Sequence, residues 1–248
     1  MKKLISVLFV ICLFSLQLLA QRIVEKNIPV SAGQEIKLEF KFAELIKIKT
    51  WDKREVFVNA SVSINCDEDN DVFKLEVENK PDLVYIYSNY GDLKKLKRKY
   101  ILKEDKEGNI HINGSSLSIE TYYEVNIPKN VQLNISSISG DVEIDEFIGP
   151  LNIKLISGDA EINKISGSLY AKSISGFVDL SLATDQRVDL RMKTVTGEIY
   201  TNMEIDFDKY GNKHGYVGSK VSGSINGGGI SIELESVSGD IYLRKGRE

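Results

Sequence analysis

Along most of this chain apolar and polar residues alternate in short runs. Ile36-Lys37-Leu38-Glu39-Phe40, Ile46-Lys47-Ile48 and Val56-Phe57-Val58-Asn59-Ala60-Ser61-Val62 show it early, and Leu151/Ile153/Leu155, Val178/Leu180/Leu182 and Ile230/Ile232/Leu234 show it late. A period of two is the signature of a strand with one face buried. Val72 to Val77, Leu83 to Tyr87 and Ile110-His111-Ile112 continue the trend. The single candidate for an amphipathic helix is Leu93 to Tyr100, where Leu93, Leu96 and Tyr100 would share a face. Pro29, Pro128 and Pro150 fall at the expected strand boundaries, where the missing N–H does least harm.

Between the runs a short pattern recurs: Ile or Val, then Ser or Thr, then Gly, usually a polar residue, then an apolar one. Its copies centre on Gly140, Gly158, Gly167, Gly176, Gly197, Gly223 and Gly239. Glycine supplies a backbone conformation that a tight turn needs, and a neighbouring hydroxyl can bond the turn backbone. The first four glycines are spaced by 18, 9 and 9 residues, which predicts a unit of nine residues and two strands per coil. One coil cannot bury its apolar face alone, but stacked coils share a continuous core. The expected fold is therefore all-β: a parallel β-solenoid with almost no helix. Later spacings of 21, 26 and 16 predict loops bulging from one side, the longest from Met203 to Ser219. Three segments follow: a signal peptide over 1–20, a less regular strand-rich part over 21–130, and the Ser-Gly-turn solenoid over 131–248.

The signal peptide reading rests on Lys2 and Lys3, the apolar run Leu4 to Leu19, and Ala20. That run is short for a membrane span and carries the flanks of an export signal. Leu18 is larger than the small residue favoured before the cut, and Cys12 follows Ile11 inside the run, which is not a lipidation arrangement. Removing the segment takes away two lysines, leaving 30 basic against 36 acidic residues and a charge of −6. That balance argues against nucleic acid as a partner. No transmembrane segment is expected in the mature chain. Cys66 is then the only cysteine, so no internal disulfide can form, and its acidic neighbours predict an inert, partly buried thiol.

The segment Ile46 to Val56, followed by Tyr123-Glu124-Val125-Asn126-Ile127-Pro128 and the Ile/Val-Ser-Gly-Asp repeats, resembles the DUF4097 putative adhesin family of exported bacterial proteins. It is similar also to the DUF2807 head domain of putative autotransporter adhesins. The resemblance covers roughly residues 30–248. It implies a β-helix-like fold and an envelope location, and it brings no active site with it.

Enzyme signatures are missing from the sequence. His111 and His214 are the only histidines, with no His-x-x-x-His, Cys-x-x-Cys or Gly-x-Ser-x-Gly pattern. Asp141, Asp159 and Asp240 occupy equivalent turn positions. They could form a ladder for sugar cleavage or calcium, but Asp after Gly is ordinary turn chemistry, and Ser168, Phe177 and Ser224 replace it elsewhere. Gly227-Gly228-Gly229 lacks the acid of a calcium-binding roll. No cofactor and no metal is expected.

Candidate partner-binding residues lie in the irregular additions. Lys94, Lys95, Lys97, Arg98 and Lys99 form one concentrated positive patch that could attract an anionic glycan or headgroup, set against a solvated loop balanced by Glu104, Asp105 and Glu107. Asp208, Tyr210, His214 and Tyr216 sit in the long late loop, and Tyr85, Tyr87, Tyr90, Tyr122 and Tyr123 could stack on sugars or pack. The expectation is a non-enzymatic envelope protein, periplasmic or at the cell surface. Its rigid face would bind a glycan, an envelope protein or another copy of itself. The alternatives are a secreted carbohydrate-active enzyme and a periplasmic accessory or sensor of envelope stress.

Overall fold

A computed structural model describes residues 21–93, 96, 99–104, 110–214 and 218–246, with backbone alone over 99–104, 110–116 and 208–214. The export segment 1–20 lies outside the described residues. The first nine strands are β1 (Arg22–Pro29), β2 (Glu35–Glu39), β3 (Phe42–Trp51), β4 (Glu55–Ile64), β5 (Lys74–Asn79), β6 (Leu83–Asn89), β7 (Lys99–Glu104), β8 (Ile110–Ser116) and β9 (Ile119–Pro128). The coils that follow are built from β10 (Leu133–Ile144), β11 (Leu151–Ser157), β12 (Ala160–Ile162), β13 (Leu169–Ser175), β14 (Val178–Leu182), β15 (Val188–Thr196) and β16 (Ile199–Thr201). The rest are β17 (Asp206–His214), β18 (Ser219–Ile225), β19 (Ile230–Ser238) and β20 (Ile241–Lys245). Helical conformation is confined to a 3-10 turn, Asn70–Val72, and to Leu93 among the described residues.

Eighteen strands join in one sheet folded into two walls, and β7 and β8 form a separate hairpin. Leu133 pairs in parallel with Leu151, which pairs with Leu169, each eighteen residues on. Alternate residues point inward, giving rows such as Ile36–Leu133–Leu151–Leu169–Ile232–Leu190 on the first wall and Ile48–Ile144–Ile162–Leu180–Leu243 on the second. All of these side chains are buried in one continuous core.

Sequence order and spatial order part company at both ends. On the first wall the order is β5, β6, β2, β10, β11, β13, β19, β15, β18, β17. On the second it is β1, β4, β9, β3, β10, β12, β14, β20, β16. The coil β19–β20 therefore sits between β13–β14 and β15–β16, although it is made after both. At each end the pairing turns antiparallel: β1, β4 and β5 close one end, β18 and β17 the other. A wholly parallel stack is thus corrected to a β-solenoid-like core with antiparallel ends. The reason is physical, since a solenoid cut square would leave a full row of backbone donors and acceptors open to other chains.

The corner between the walls explains the Ser-Gly repeat. Gly158 has φ +139°, and a Cβ there would overlap the carbonyl oxygen of Gly140; Gly140 stands likewise over Ala43, Gly176 over Gly158, Gly239 over Gly176 and Gly197 over Gly239. Glycine is needed because backbone stacks directly on backbone. Three residues before these glycines stands a buried Ser or Thr in four of five coils. Ser173 Oγ donates to the Gly158 carbonyl at 2.8 Å, Ser236 to Gly176 at 2.9 Å and Thr194 to Gly239 at 2.8 Å. Each turn Asp also reaches across: Asp141 Oδ1 accepts the Asp159 N–H at 2.8 Å, Asp159 Oδ1 accepts that of Phe177 at 2.8 Å, and Asp240 Oδ1 accepts that of Glu198 at 2.9 Å.

Two of the seven repeat glycines stand elsewhere. Gly167 stacks on Gly149 at a second corner, beside the Phe147–Ile165 bridge, and Gly223 lies within the antiparallel strand β18. The bulging loop expected over Met203 to Ser219 is largely the strand β17, because the solenoid end needs a cover there. Of the helical option for Leu93 to Tyr100, Leu93 has 3-10 conformation while Lys99 and Tyr100 begin β7; Lys94, Lys95, Lys97 and Arg98 lie outside the described residues. Cys66 is exposed rather than partly buried, in a run of three left-handed residues, Asn65, Cys66 and Asp67.

Candidate functional site

The sequence-derived contact residues fall largely beyond view. Lys94, Lys95, Lys97, Arg98 and Tyr216 lie outside the described residues. Lys99 starts β7, and Asp208, Tyr210 and His214 belong to β17, where the backbone alone is described. Of the tyrosines, Tyr90 and Tyr123 are core residues; their hydroxyls meet at 3.3 Å, and burial pushes the Tyr123 phenol well above its ordinary range. Tyr85 and Tyr87 lie on the first wall, their rings stacked at 4.8 Å with the Tyr85 hydroxyl donating to Glu39.

The richest outer surface is on the second wall, where strand alternation sends one row outward: Lys47, Glu143, Glu161, Asp179, Tyr242 and Tyr200 on successive strands. Register alone brings these residues together from six strands. Glu143 is paired with Lys47 at 3.4 Å, and Asp179 is held by two parallel bonds from Arg244, Nε to Oδ1 at 2.9 Å and Nη2 to Oδ2 at 2.8 Å. Glu161 between them has no ion pair among the described residues. Burial, then the Asp179 and Glu143 carboxylates, raise its carboxyl above the ordinary value. Asp159 is raised too, first by burial, with the Phe177 N–H pulling the other way and Asp141 adding to the rise.

Beside the acids lies an aromatic shelf. Tyr200 and Tyr242 stack at 5.2 Å and 13°, Phe177 meets Tyr242 edge-on at 6.0 Å, and the Arg244 guanidinium lies 4.9 Å over the Tyr242 ring. A groove of about 490 Å³ runs alongside, lined by Glu161, Asn163, Asp179, Ser181, Arg244 and Lys245. It offers fixed donors and acceptors next to flat ring faces, the combination that orients a polar, partly apolar ligand. No group of three or more potential metal ligands occurs among the described residues.

Sequence reading missed this site because its residues are ordinary members of five repeats; Tyr200 and Tyr242 stand out only when their two strands are set side by side. One signal was available. Tyr follows the closing apolar residue of the Ser-Gly copy in three units, Leu169-Tyr170, Ile199-Tyr200 and Ile241-Tyr242, the last two of which share this wall.

A family model described as Toastrack DUF4097 matches residues 80–244. Among solved structures, a "putative cell adhesion protein" from Clostridium sporogenes ATCC 15579 is similar at 14% identity, with 91% of this chain and 99% of that chain covered and a TM-score of 0.54. At that identity the likeness is one of fold. A "putative adhesin" from Parabacteroides merdae ATCC 43184 matches at 9% identity over 90% and 96% of the two chains, with a TM-score of 0.26, too low to compare positions. No curated protein matches the chain.

Proposed function

The chain belongs to the Toastrack DUF4097 family, and from that premise we propose that it is an exported, non-enzymatic, adhesin-like envelope protein that binds a glycan along its second wall. One observation carries the reading: the polar groove of Glu161, Asn163, Asp179 and Arg244 adjoins an aromatic pair, since the Arg244 guanidinium lies over the Tyr242 ring and Tyr200 stacks on Tyr242. The adhesion-protein name of the Clostridium structure supports the same direction. Ring faces give a sugar its apolar contact, and the Asp179–Arg244 pair offers donors and acceptors to its hydroxyls without further ordering. Residues 1–20 direct export, and no helix among the described residues is long and apolar enough to cross a membrane. Lys94 to Lys99 and the residues around Tyr210 are secondary contact points in this proposal.

Glycan-array binding tests it. Protein recovered from the producing cells should bind a defined set of glycans, and Tyr242→Ala should weaken the best of them by about tenfold, the worth of one lost ring contact. Binding of no glycan, or full binding by Tyr242→Ala, overturns the reading. Protease shaving of intact cells then separates a surface protein from a periplasmic one.

A second reading has its own observation. Glu161 and Asp179 are register partners on adjacent strands in one groove, and paired carboxylates at short range are what retaining glycosidases use. The hold of Arg244 on Asp179 counts against it, because a carboxylate in two charge-assisted bonds is a poor nucleophile or base. Release of reducing ends from a bound glycan, lost in Glu161→Gln, would favour this second reading.

A further inference from the structure

The corner between the walls carries an uncovered apolar stripe. Ile138, Ile156, Ile174 and Val237 stand immediately before the Ser-Gly turns of β10, β11, β13 and β19, which are neighbours in space. They are 39%, 51%, 45% and 36% exposed, and they make up half of the exposed large hydrophobic residues among those described. Val195 of β15 extends the row to five coils. At about 4.8 Å per strand the stripe is about 19 Å long. None of these side chains serves the interior, and a contiguous apolar patch of this kind marks an interaction surface. Beside it a shallow apolar groove of about 350 Å³ is lined by Ile138, Ile156, Ile174, Lys41, Lys154 and Lys172 among others.

The two flanks carry opposite charge. On the first-wall side, two residues before the stripe, stand Ser136, Lys154, Lys172, Glu235 and Lys193, with Glu235 neutralised by Lys172 at 2.9 Å so that Lys154 and Lys193 set the sign of that flank. On the second-wall side, three residues after it, stand Asp141, Asp159, Asp240 and Glu198. We infer that the stripe docks a second copy of this chain, corner to corner with strand directions opposed and coils level, about a two-fold axis parallel to the stack.

Two arguments select that occupant. A two-fold parallel to the stack places the first-wall flank of each copy over the acidic flank of the other, so Lys154 faces Asp159 and Lys193 faces Glu198 of the same coil in the partner copy, while Glu235, which faces Asp240, already has Lys172 as its counter-ion. A two-fold across the stack would set lysine against lysine. The second argument is pitch. An identical stack has an identical spacing, so each stripe residue meets its own counterpart in every coil, whereas a helix advances about 5.4 Å per turn and drifts out of step. The contact is three residues wide and falls at the small end of specific interfaces, below about 1,200 Å² in total, so the dimer dissociates in the micromolar range.

Sedimentation velocity on the full protein recovered from producing cells, from 1 to 200 μM on the order of that range, is the test. The expected result is a monomer–dimer equilibrium that weakens with salt. Ile156→Asp should weaken it at least tenfold while leaving the melting curve of this exposed position unchanged. Lys193→Glu should weaken it likewise, and the double exchange Lys193→Glu with Glu198→Lys should restore it. A monomer throughout, a dimer indifferent to Ile156→Asp, or an exchange that fails to restore association would each overturn the proposal. So would capture of an acidic peptide by the stripe without self-association. Glycan binding in these variants stays intact, which keeps this test separate from that of the second-wall groove.

Discussion

Ser173 in β13 gives its hydroxyl proton to the carbonyl of Gly158 in the neighbouring coil, 2.8 Å away, with the serine fully buried. The same bond recurs from Ser236 to Gly176 and from Thr194 to Gly239. Ser173→Ala should therefore lose about 1–2 kcal/mol of stability, because the Gly158 carbonyl keeps its burial and loses this donor. Urea unfolding followed by circular dichroism measures it, with Ser175→Ala, at an exposed position, as a control expected within about 0.5 kcal/mol of wild type.

Gly158→Ala should do much more damage than Gly33→Ala. Both glycines have positive φ, +139° and +85°, but a Cβ at 158 collides with the Gly140 backbone while one at 33 meets nothing. Gly33→Ala should cost about 1–2 kcal/mol, the conformational term alone. Gly158→Ala adds a steric term that the stacked neighbours cannot relieve, and should melt at least 10 °C lower or fail to accumulate, on the order of 3 kcal/mol or more. Comparable melting temperatures for the two would contradict the backbone-on-backbone stacking.

Ile153→Asp and Leu180→Asp each place an unpaired charge in the shared core, where both wild-type residues are fully buried. Loss of a cooperative unfolding transition is expected, since burying a lone carboxylate costs several kcal/mol, comparable to the stability of a whole domain. Ile156→Asp, three residues along from Ile153 but outside the corner, should leave the transition in place.

Acid should relieve the second wall. The Glu161 carboxyl is raised in the folded state by burial and by Asp179 and Glu143, so the folded protein holds that proton more tightly than the unfolded chain does. Its contribution is unfavourable at neutral pH and disappears as pH falls through the raised value to below the ordinary 4.5. Glu161→Gln should thus be more stable than wild type at pH 7 by about 0.5 kcal/mol, the size of a like-charge pair on neighbouring strands. The advantage should vanish near pH 4, as paired thermal melts at the two pH values would show.

Strands, corner glycines and inward rows were legible in the sequence because each depends on residues close together in the chain. Alternation named Ile153 and Leu180 as core, and the Ser-Gly pattern named Gly140, Gly158, Gly176, Gly197 and Gly239, which share one corner. Gly167 and Gly223 match the same pattern and stand elsewhere, and a residue three places earlier tells them apart. The stacked corners carry Ser137, Leu155, Ser173, Thr194 and Ser236 there, all buried, while the other two carry Lys164 and Lys220. Coil order was not legible, because every coil offers nearly the same edge and nothing local says which edge a later coil will join. The aromatic shelf was hidden for the same reason, as Tyr200 and Tyr242 become neighbours only through that order.

The placement of β19 and β20 has a consequence for how the chain is assembled. In the folded wall β15 and β16 do not touch β13 and β14, because the strands that separate them, β19 and β20, come later in the chain. Growth cannot proceed coil by coil from one end, as it can in an ordinary repeat protein. The corner over Gly176, Gly239 and Gly197 and the aromatic shelf beside it can be completed only when the last two strands join both neighbours, so the final residues of the chain close the middle of the stack and not its end.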